Sequence, residues 1–464
     1  MKLKRRIILL IFIVFFSLSS SPIYSSDEFL NTCLKIAESR SKKLAVAEEQ
    51  INLSNTKVFG SARQYFPNLS FEKQYTKGKT ITEEYRAEQI ALKAAQPIYQ
   101  GGRINATYRH DSLMSIASKH NYTKIREDLF AAVKLSYYEL LSLKMQLKTL
   151  TNAYDEVEKL QKKVQNEYDA KAISELDLIE SENFRDKIKN MFENTIDDVA
   201  LAEKKLVLLT YIEKIDEIPV PMREELAEEV PEISFSLEEC IKLARLNNLD
   251  VVSNNLAIKI AEQKEKIIRS RVIPNLALEG SYGQGGEAFV TQPLDMATTW
   301  SFMGKLNWGL WGNSLEASQY NEKTAPTTIQ DPYQRVDNLI SNVKLSLLDD
   351  INYFIQSKET SVTYNQANSD YTDSINKTIL DVQKNYNDYL SSLRDARTYR
   401  NEIILRKRKL AFLKKRNDIY EIPTVQLMEE SWKYAEAVSS YAKSLYKNYA
   451  AVTELERLTL VPLR

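Results

Sequence analysis

Two kinds of periodicity divide this chain. Apolar residues at Leu147, Leu150, Tyr154, Val157, Leu160, Val164 and Tyr168 recur every three or four positions, the spacing of a helical stripe of coiled-coil type. A second such stripe runs through Val382, Tyr386, Tyr389, Leu393, Ala396, Tyr399 and Ile403. No glycine occurs from Arg103 to Ile218 or after Gly312, and stretches so free of breakers and rich in Lys, Glu, Leu, Ala and Gln suit very long helices. A helix from Arg103 to about Ala170 is roughly 100 Å long at about 1.5 Å per residue. That length has no place in a compact globule. "YDAKAISELD" at 168–177 interrupts the stripe, and a second helix returns to about Tyr211, which makes an antiparallel hairpin. In the second half the interruption is "YEIPTVQLME" at 420–429, with Pro423 suited to the first position of the returning helix.

The other period is two. In "TTWSFMGKLNWGLW", Trp300, Phe302, Leu306, Trp308 and Leu310 fall on one face, and Thr299, Ser301, Lys305 and Asn307 on the other. Leu69, Phe71 and Tyr75 alternate with Asn68, Ser70, Glu72 and Gln74, and Leu276, Leu278 and Tyr282 with Asn275, Glu279 and Ser281. A soluble sandwich alternates in the same way. Strands of about ten residues with aromatics toward their ends also match a membrane barrel. A hairpin with one apolar face leaves edge groups unpaired in a bilayer, so several copies must close into a ring.

The chain reads as a tandem repeat. Displaced by 207 residues, "LNTCLKIAESR" meets "LEECIKLARLN" and the Pro-Asn-Leu of Pro67 meets that of Pro274; displaced by 249, "VKLSYYELLSLK" meets "VQKNYNDYLSSL". The expected organisation is an export signal over 1–25, a first repeat over 26–212, a linker over 213–232 and a second repeat over 233–464 with an inserted segment at about 313–350. The linker expectation rests on the acidic, proline-bearing "EKIDEIPVPMREELAEEVPE". In the insert, "SNVKLSLLDD" alternates and "NSLEASQYNEK" is weakly strand-like, so two added strands joined around Pro326 and Pro332 are expected, six in all.

Composition narrows the class of function. Lys2, Lys4, Arg5 and Arg6 precede an apolar run from Ile7 to Phe16, too short for a membrane span, so the start fits an export signal cleaved near Ser25 better than an uncleaved anchor. The 63 basic and 63 acidic residues cancel and give no support to a nucleic-acid partner. Cys33 and Cys240 occupy matching repeat positions, and a packed helical thiol fits both better than lipidation or a disulfide framework. His110 and His120 lie ten apart, off any shared helical face. No nucleotide loop, metal-ligand cluster or nucleophile beside a base is found, so neither an enzyme nor a cofactor is expected. "GQGGEAF" at 283–289 reads as an extracellular loop between strands, and "RKRKLAFLKKR" at 406–416 as a solvated or partner-facing helix surface.

The order of the repeat, "PNLSFEKQY" and "PNLALEGSY" opening strands, "QPIYQGGR" at 96–103 starting the long helix and "ISELDLIES" after the hairpin tip resembles the TolC-like outer membrane efflux protein family over about 27–461. The resemblance implies a mainly α fold with a transmembrane β-barrel part. In it a twofold internal repeat of long antiparallel coiled-coil helices builds a trimeric α-barrel, continued by an outer-membrane β-barrel. It further implies a passive homotrimeric exit duct of a tripartite efflux or type I secretion system, set in outer-membrane lipid and reaching into the periplasm. The implied partners are a periplasmic adaptor protein and an inner-membrane transporter.

The family's hairpin tips usually carry glycine, where this chain has Lys171 and Ile422 nearby. Its inward acidic pair beyond the second tip falls on Gln426 and Glu429, and the related first-tip positions are Asp177 and Glu180. Only one acid thus survives at the second tip, and a solvated helix face explains the first-tip pair equally well. Trp300, Phe302 and Trp308 are the expected membrane-facing aromatics. The alternative function is a periplasmic coiled-coil scaffold without a pore, which accounts for the helices and the export signal but not for the clean alternation at 299–311.

Overall fold

The computed structural model describes residues 26–211, 232–324, 337–419 and 421–463. The expected export signal, almost all of the 213–232 linker and the loop around Pro326 and Pro332 lie outside them. Helices α1 (Ser26–Arg40) and α2 (Lys42–Ala62) precede strands β1 (Asn68–Lys79) and β2 (Glu84–Gln100), then helices α3 (Arg103–Asp169) and α4 (Glu175–Thr210). The second half repeats this order with α5 (Leu237–Asn247), α6 (Leu249–Arg269), β3 (Asn275–Phe289) and β4 (Ala297–Gly309). Two further strands, β5 (Ser314–Lys323) and β6 (Asp337–Ser346), then precede α7 (Asn352–Asp418) and α8 (Thr424–Thr459). The long helices match in length, 67 residues for α3 and α7 and 36 for α4 and α8. The chain forms two compact units: the described parts of 1–45, 123–248 and 376–464, and of 46–122 and 249–375. Each unit draws on both halves of the sequence.

The first unit is helical, and its core follows the heptad-like stripes. Leu30, Cys33 and Ala37 of α1 pack with Val133, Tyr137 and Leu140 of α3 and with Ala202 and Leu206 of α4. Cys240 and Ala244 of α5 pack with Val382 and Tyr389 of α7 and Ala451 and Leu455 of α8. Residues related by displacements of 207 and 249 thus fill like places. Both cysteines are buried and free. Farther along, Leu150, Val157 and Val164 of α3 meet Ile188 of α4 and Val425, Met428 and Ala435 of α8, the stripe the spacing predicts. Helices α4 and α8 end alike, with Tyr211 (φ 56°) and Leu460 (φ 54°) in the left-handed conformation. Their N–H groups bond back to Val207 and Glu456, and Arg40 donates to the Tyr211 carbonyl at 2.7 Å, so the strained ends are held by hydrogen bonds.

The second unit carries a six-stranded antiparallel sheet in chain order, β1 to β6. Six strands are the number expected from the sequence. Gly101 (φ 59°) and Gly102 (φ 82°) turn the chain from β2 into α3, and a Cβ at Gly101 would stand 2.7 Å from that of Ile273. Alternation sorts the sheet's side chains onto two faces. The segment 283–289 is not a loop: it forms the end of β3. A Cβ at Gly283 would come within 2.0 Å of the Ile90 carbonyl oxygen, so glycine there lets β2 and β3 approach closely. The turn follows at about 290–296, and Leu310, expected on the strand face, lies just past β4.

Candidate functional site

Two regions carry the features from which a function can be read, the helix tips of the first unit and the sheet of the second. At the first tip Lys171 takes a left-handed conformation (φ 58°) despite its side chain. Lys171 and Ala172 donate to the carbonyls of Tyr168 and Glu167, each at 2.8 Å, which satisfies the helix end without glycine. Ser174 then caps α4: its Oγ accepts from the Asp177 N–H at 3.2 Å and donates to Asp177 Oδ2 at 2.7 Å, while its own N–H donates to that carboxylate at 3.0 Å. This is a capping box with Asp in the usual Glu position. The Ser174 hydroxyl, and then its N–H, hold the Asp177 carboxyl below the ordinary carboxylate range. Asp177 is therefore engaged in its own helix, whereas Glu180 is exposed.

At the second tip Pro423 is the N-cap of α8, with φ −63° and ψ 143°, not its first helical residue. The extended ψ places it one step outside the helix, and its carbonyl accepts the first turn's bond from Gln426 N–H at 3.2 Å. The counterpart of Lys171, Tyr420, lies outside the described residues. Gln426 is exposed; Glu429 is half-buried and ion-paired to Lys433. Among the described residues, Gln426 meets another predicted tip residue only through its backbone bond to Pro423, and no side-chain bond joins Glu180 to the others.

Sequence reasoning missed the residues that join the tips. Lys163 donates to Asn417 Oδ1 at 2.7 Å, the Asn417 amide donates to Thr424 Oγ1 at 3.1 Å and to the Ile422 carbonyl at 3.2 Å, and Thr424 donates to Glu167 at 2.8 Å. Asn417 and Thr424 are 3% and 0% exposed, so this chain of bonds is shielded from water and links α3 to the turn between α7 and α8. Next to it Glu430, 2% exposed, receives Arg406 at 3.2 Å and Lys409 at 2.8 Å. The basic run at 406–416 is thus only partly a solvated face: Lys414 also binds Glu156 at 2.7 Å and Arg416 binds Glu421 at 2.9 Å. Two of these acids, Glu156 and Glu430, lie far from the run in sequence, which spacing alone does not show.

In the second unit, one sheet face is polar. Glu72 and Lys93 pair at 2.5 Å, Glu279 and Lys305 at 2.8 Å, and Ser281 and Ser301 share a 2.7 Å hydrogen bond. A concavity on this face is lined by Ser70, Gln74, Gln89, Thr299 and Glu322. The opposite face is apolar and arranged in rows by the strand register. Phe71, Leu92, Tyr282 and Trp300 stand side by side across β1 to β4, and Trp308, Leu315 and Leu345 form a row across β4 to β6. Phe71 is 72% exposed, Tyr282 68% and Phe302 53%, and contiguous exposed apolar side chains of this kind mark an interaction surface with lipid or protein. Trp308 turns its indole N–H to the Val272 carbonyl at 3.2 Å. Strands β1 and β6 each pair on one side only among the described residues.

No helix among the described residues is long and apolar enough to cross a membrane, and no cluster among them could hold a metal ion. His110 bonds to its neighbour Asp111 at 2.9 Å.

A sheet with one polar and one apolar face and paired long helices, as seen among the described residues, is a fold shared with solved outer membrane channels. The Vibrio cholerae outer membrane protein VceC superposes with a TM-score of 0.69 at 10% identity, covering 94% of this chain and 97% of that one. The Campylobacter jejuni CmeC outer membrane channel does so with a TM-score of 0.68 at 13% identity, covering 94% and 86%. The open state of the Neisseria gonorrhoeae MtrE outer membrane channel gives 0.69 at 13% identity, covering 94% and 89%. At such identities the likeness is one of fold. The family model of the outer membrane efflux proteins matches residues 33–183, and with the shared fold it shows the resemblance to the TolC-like outer membrane efflux protein family. No curated protein matches the chain.

Proposed function

We propose that this protein is a passive exit duct of the outer membrane, a homotrimer that reaches into the periplasm and serves a tripartite efflux or type I secretion system. The observation that carries the reading is the sheet: one face exposed and apolar, one polar, and two edges open. Six strands with free edges cannot stand in lipid alone. Three chains of six strands each close eighteen, within the range of outer-membrane barrels. Trp300 and Trp308 are eight residues apart on β4, about 26 Å along the strand at about 3.3 Å per residue and about 20 Å along the barrel axis at a tilt of about 40°, which spans most of the roughly 25 Å apolar band between aromatic girdles. Trp300, Phe302 and Trp308 then face lipid, and Ser281, Ser301 and the Glu–Lys pairs face water.

In this reading residues 1–25 are an export signal, the chain is a duplicated unit joined by the 213–232 linker, and β5 and β6 are the second unit's insertion. The helices of three copies form the periplasmic tunnel, whose tips meet an adaptor and an inner-membrane transporter. Glu429 and Glu180 supply acidic groups near the tips, with Glu429 offset by Lys433, so selectivity for cations at this end is weak. Selection of cargo belongs to the transporter and adaptor.

Fractionation of a Gram-negative host expressing the full chain tests this, followed by the mass of the detergent-extracted species and its conductance in a planar bilayer. Outer-membrane trimers that conduct are the expected result. A soluble periplasmic species would overturn the duct.

A further inference from the structure

Beyond the row of Phe71, Leu92, Tyr282 and Trp300, the apolar face of the sheet changes character. Continuing β1 past Phe71 on the same face come Lys73, Tyr75, Lys77 and Lys79, and opposite them on β2 stand Ile90, Glu88, Arg86 and Glu84. Four cations thus share this small area with two carboxylates. Lys77 pairs with Glu84 at 3.1 Å. Lys73 and Lys79 are exposed and have no ion-pair partner among the described residues. Arg86 is half-buried and gives one Nη2 bond to the Gln292 carbonyl at 3.3 Å, while its buried Nε has no hydrogen-bond partner among the described residues. Lys73 lies two residues beyond the aromatic row and Arg86 stands opposite Lys77, six beyond it, about 7 and 20 Å along the strands at about 3.3 Å per residue.

We propose that Lys73, Lys77 and Arg86 form a binding site for the phosphate groups of an outer-leaflet glycolipid. This rests on the reading of the sheet as part of an outer-membrane barrel, which sets this end of the strands away from the helices and at the headgroup level. Long cationic side chains at the border of an apolar band lay their stems on it and lift the charge to the headgroups. A guanidinium suits phosphate oxygens through its terminal nitrogens, and two lysines add the point charges that accompany it. A protein partner is disfavoured by position, because the patch continues the face that lipid covers and adjoins its apolar rows. The polar face of the same strands, by contrast, has its Glu72–Lys93 charges matched in pairs.

The test uses full-length protein extracted from the outer membrane in mild detergent, as wild type and as the triple variant Lys73→Gln, Lys77→Gln, Arg86→Gln. Each is offered bisphosphorylated lipid A, the same lipid dephosphorylated, or inorganic phosphate alone, and bound ligand is counted by native mass spectrometry. Wild type should retain the bisphosphorylated lipid at least about tenfold better than the dephosphorylated one, since each cation near an anionic surface contributes roughly a fivefold preference. The triple variant should lose that preference with unchanged assembly mass and conductance. Equal retention of both lipids, an undiminished preference in the variant, or equal binding of inorganic phosphate alone would overturn the site. If the wild type conducts as a trimer and still shows no preference, only the lipid site fails; if it never reaches the outer membrane, the duct reading fails instead.

Discussion

At the scale of single residues, burial and local bonding decide chemistry. Cys33 has no exposed surface, and burial pushes its thiol up to about 11; Cys240 is shifted upward for the same reason. Because the thiolate is the reactive form, the folded chain at pH 8 should resist maleimide at both positions, and the urea-unfolded chain should label at both. Mass spectrometry of the two samples checks this. Asp177 shows the opposite direction, lowered by its bonds to Ser174. A carboxyl held low when folded adds stability above its unfolded value, about 3.9, and loses it as pH falls through the folded value. Amide protection in the first turn of α4 should therefore weaken below about pH 4 in the wild type. Ser174→Ala should weaken it at neutral pH by about 1 kcal/mol, read by hydrogen exchange. The residues of the box stand in the sequence as "SELD", yet family position left Asp177 open between a channel-lining acid and a solvated helix face; only the geometry shows the carboxylate turned to its own helix.

At the scale of elements, periodicity located the long helices and most strands, while the one opening helix expected in each half is two, α1 with α2 and α5 with α6. The 67-residue helices and the two added strands were expected because each stripe persists for many turns or alternates without interruption. The stretch 283–289 was misplaced because three glycines in seven residues read as a turn. There they serve a close strand approach, a reason invisible until β2 is beside β3. The two faces of the sheet give a paired test. Leu278 stands opposite Gly304 on the apolar face, and Met303 opposite Glu279 on the polar one, at nearly the same depth. Leu278→Arg should destabilise the refolded protein in lipid by about 2–4 kcal/mol, as a cation near a bilayer midplane does. Met303→Arg, beside Glu279, should cost well under half of that, and urea titration in lipid vesicles distinguishes the two.

At the scale of the whole molecule, the open edges of β1 and β6 are the unfinished part of the chain. If copies join there, a cysteine at Ser70 on β1 combined with cysteines walked one at a time from Ser341 to Leu345 on β6 should form oxidative crosslinks at one register. Denaturing gels should then show a ladder that stops at three chains. The buried native thiols do not interfere. A ladder running past three, or none at any register, would show that the edges meet something other than a ring of three.

The sequence by itself determined the helical stripes, the strand alternation, the doubled order of elements and the number of strands, because each depends on spacing between near neighbours. Tertiary structure alone decided which charges are spent inside the fold. Lys163 and Asn417 are 254 residues apart and Glu430 lies 24 from Arg406, separations that carry no period. It also decided that Lys77 and Arg86 stand together beyond the aromatic row, because strand register, and not sequence distance, sets which side chains share a face.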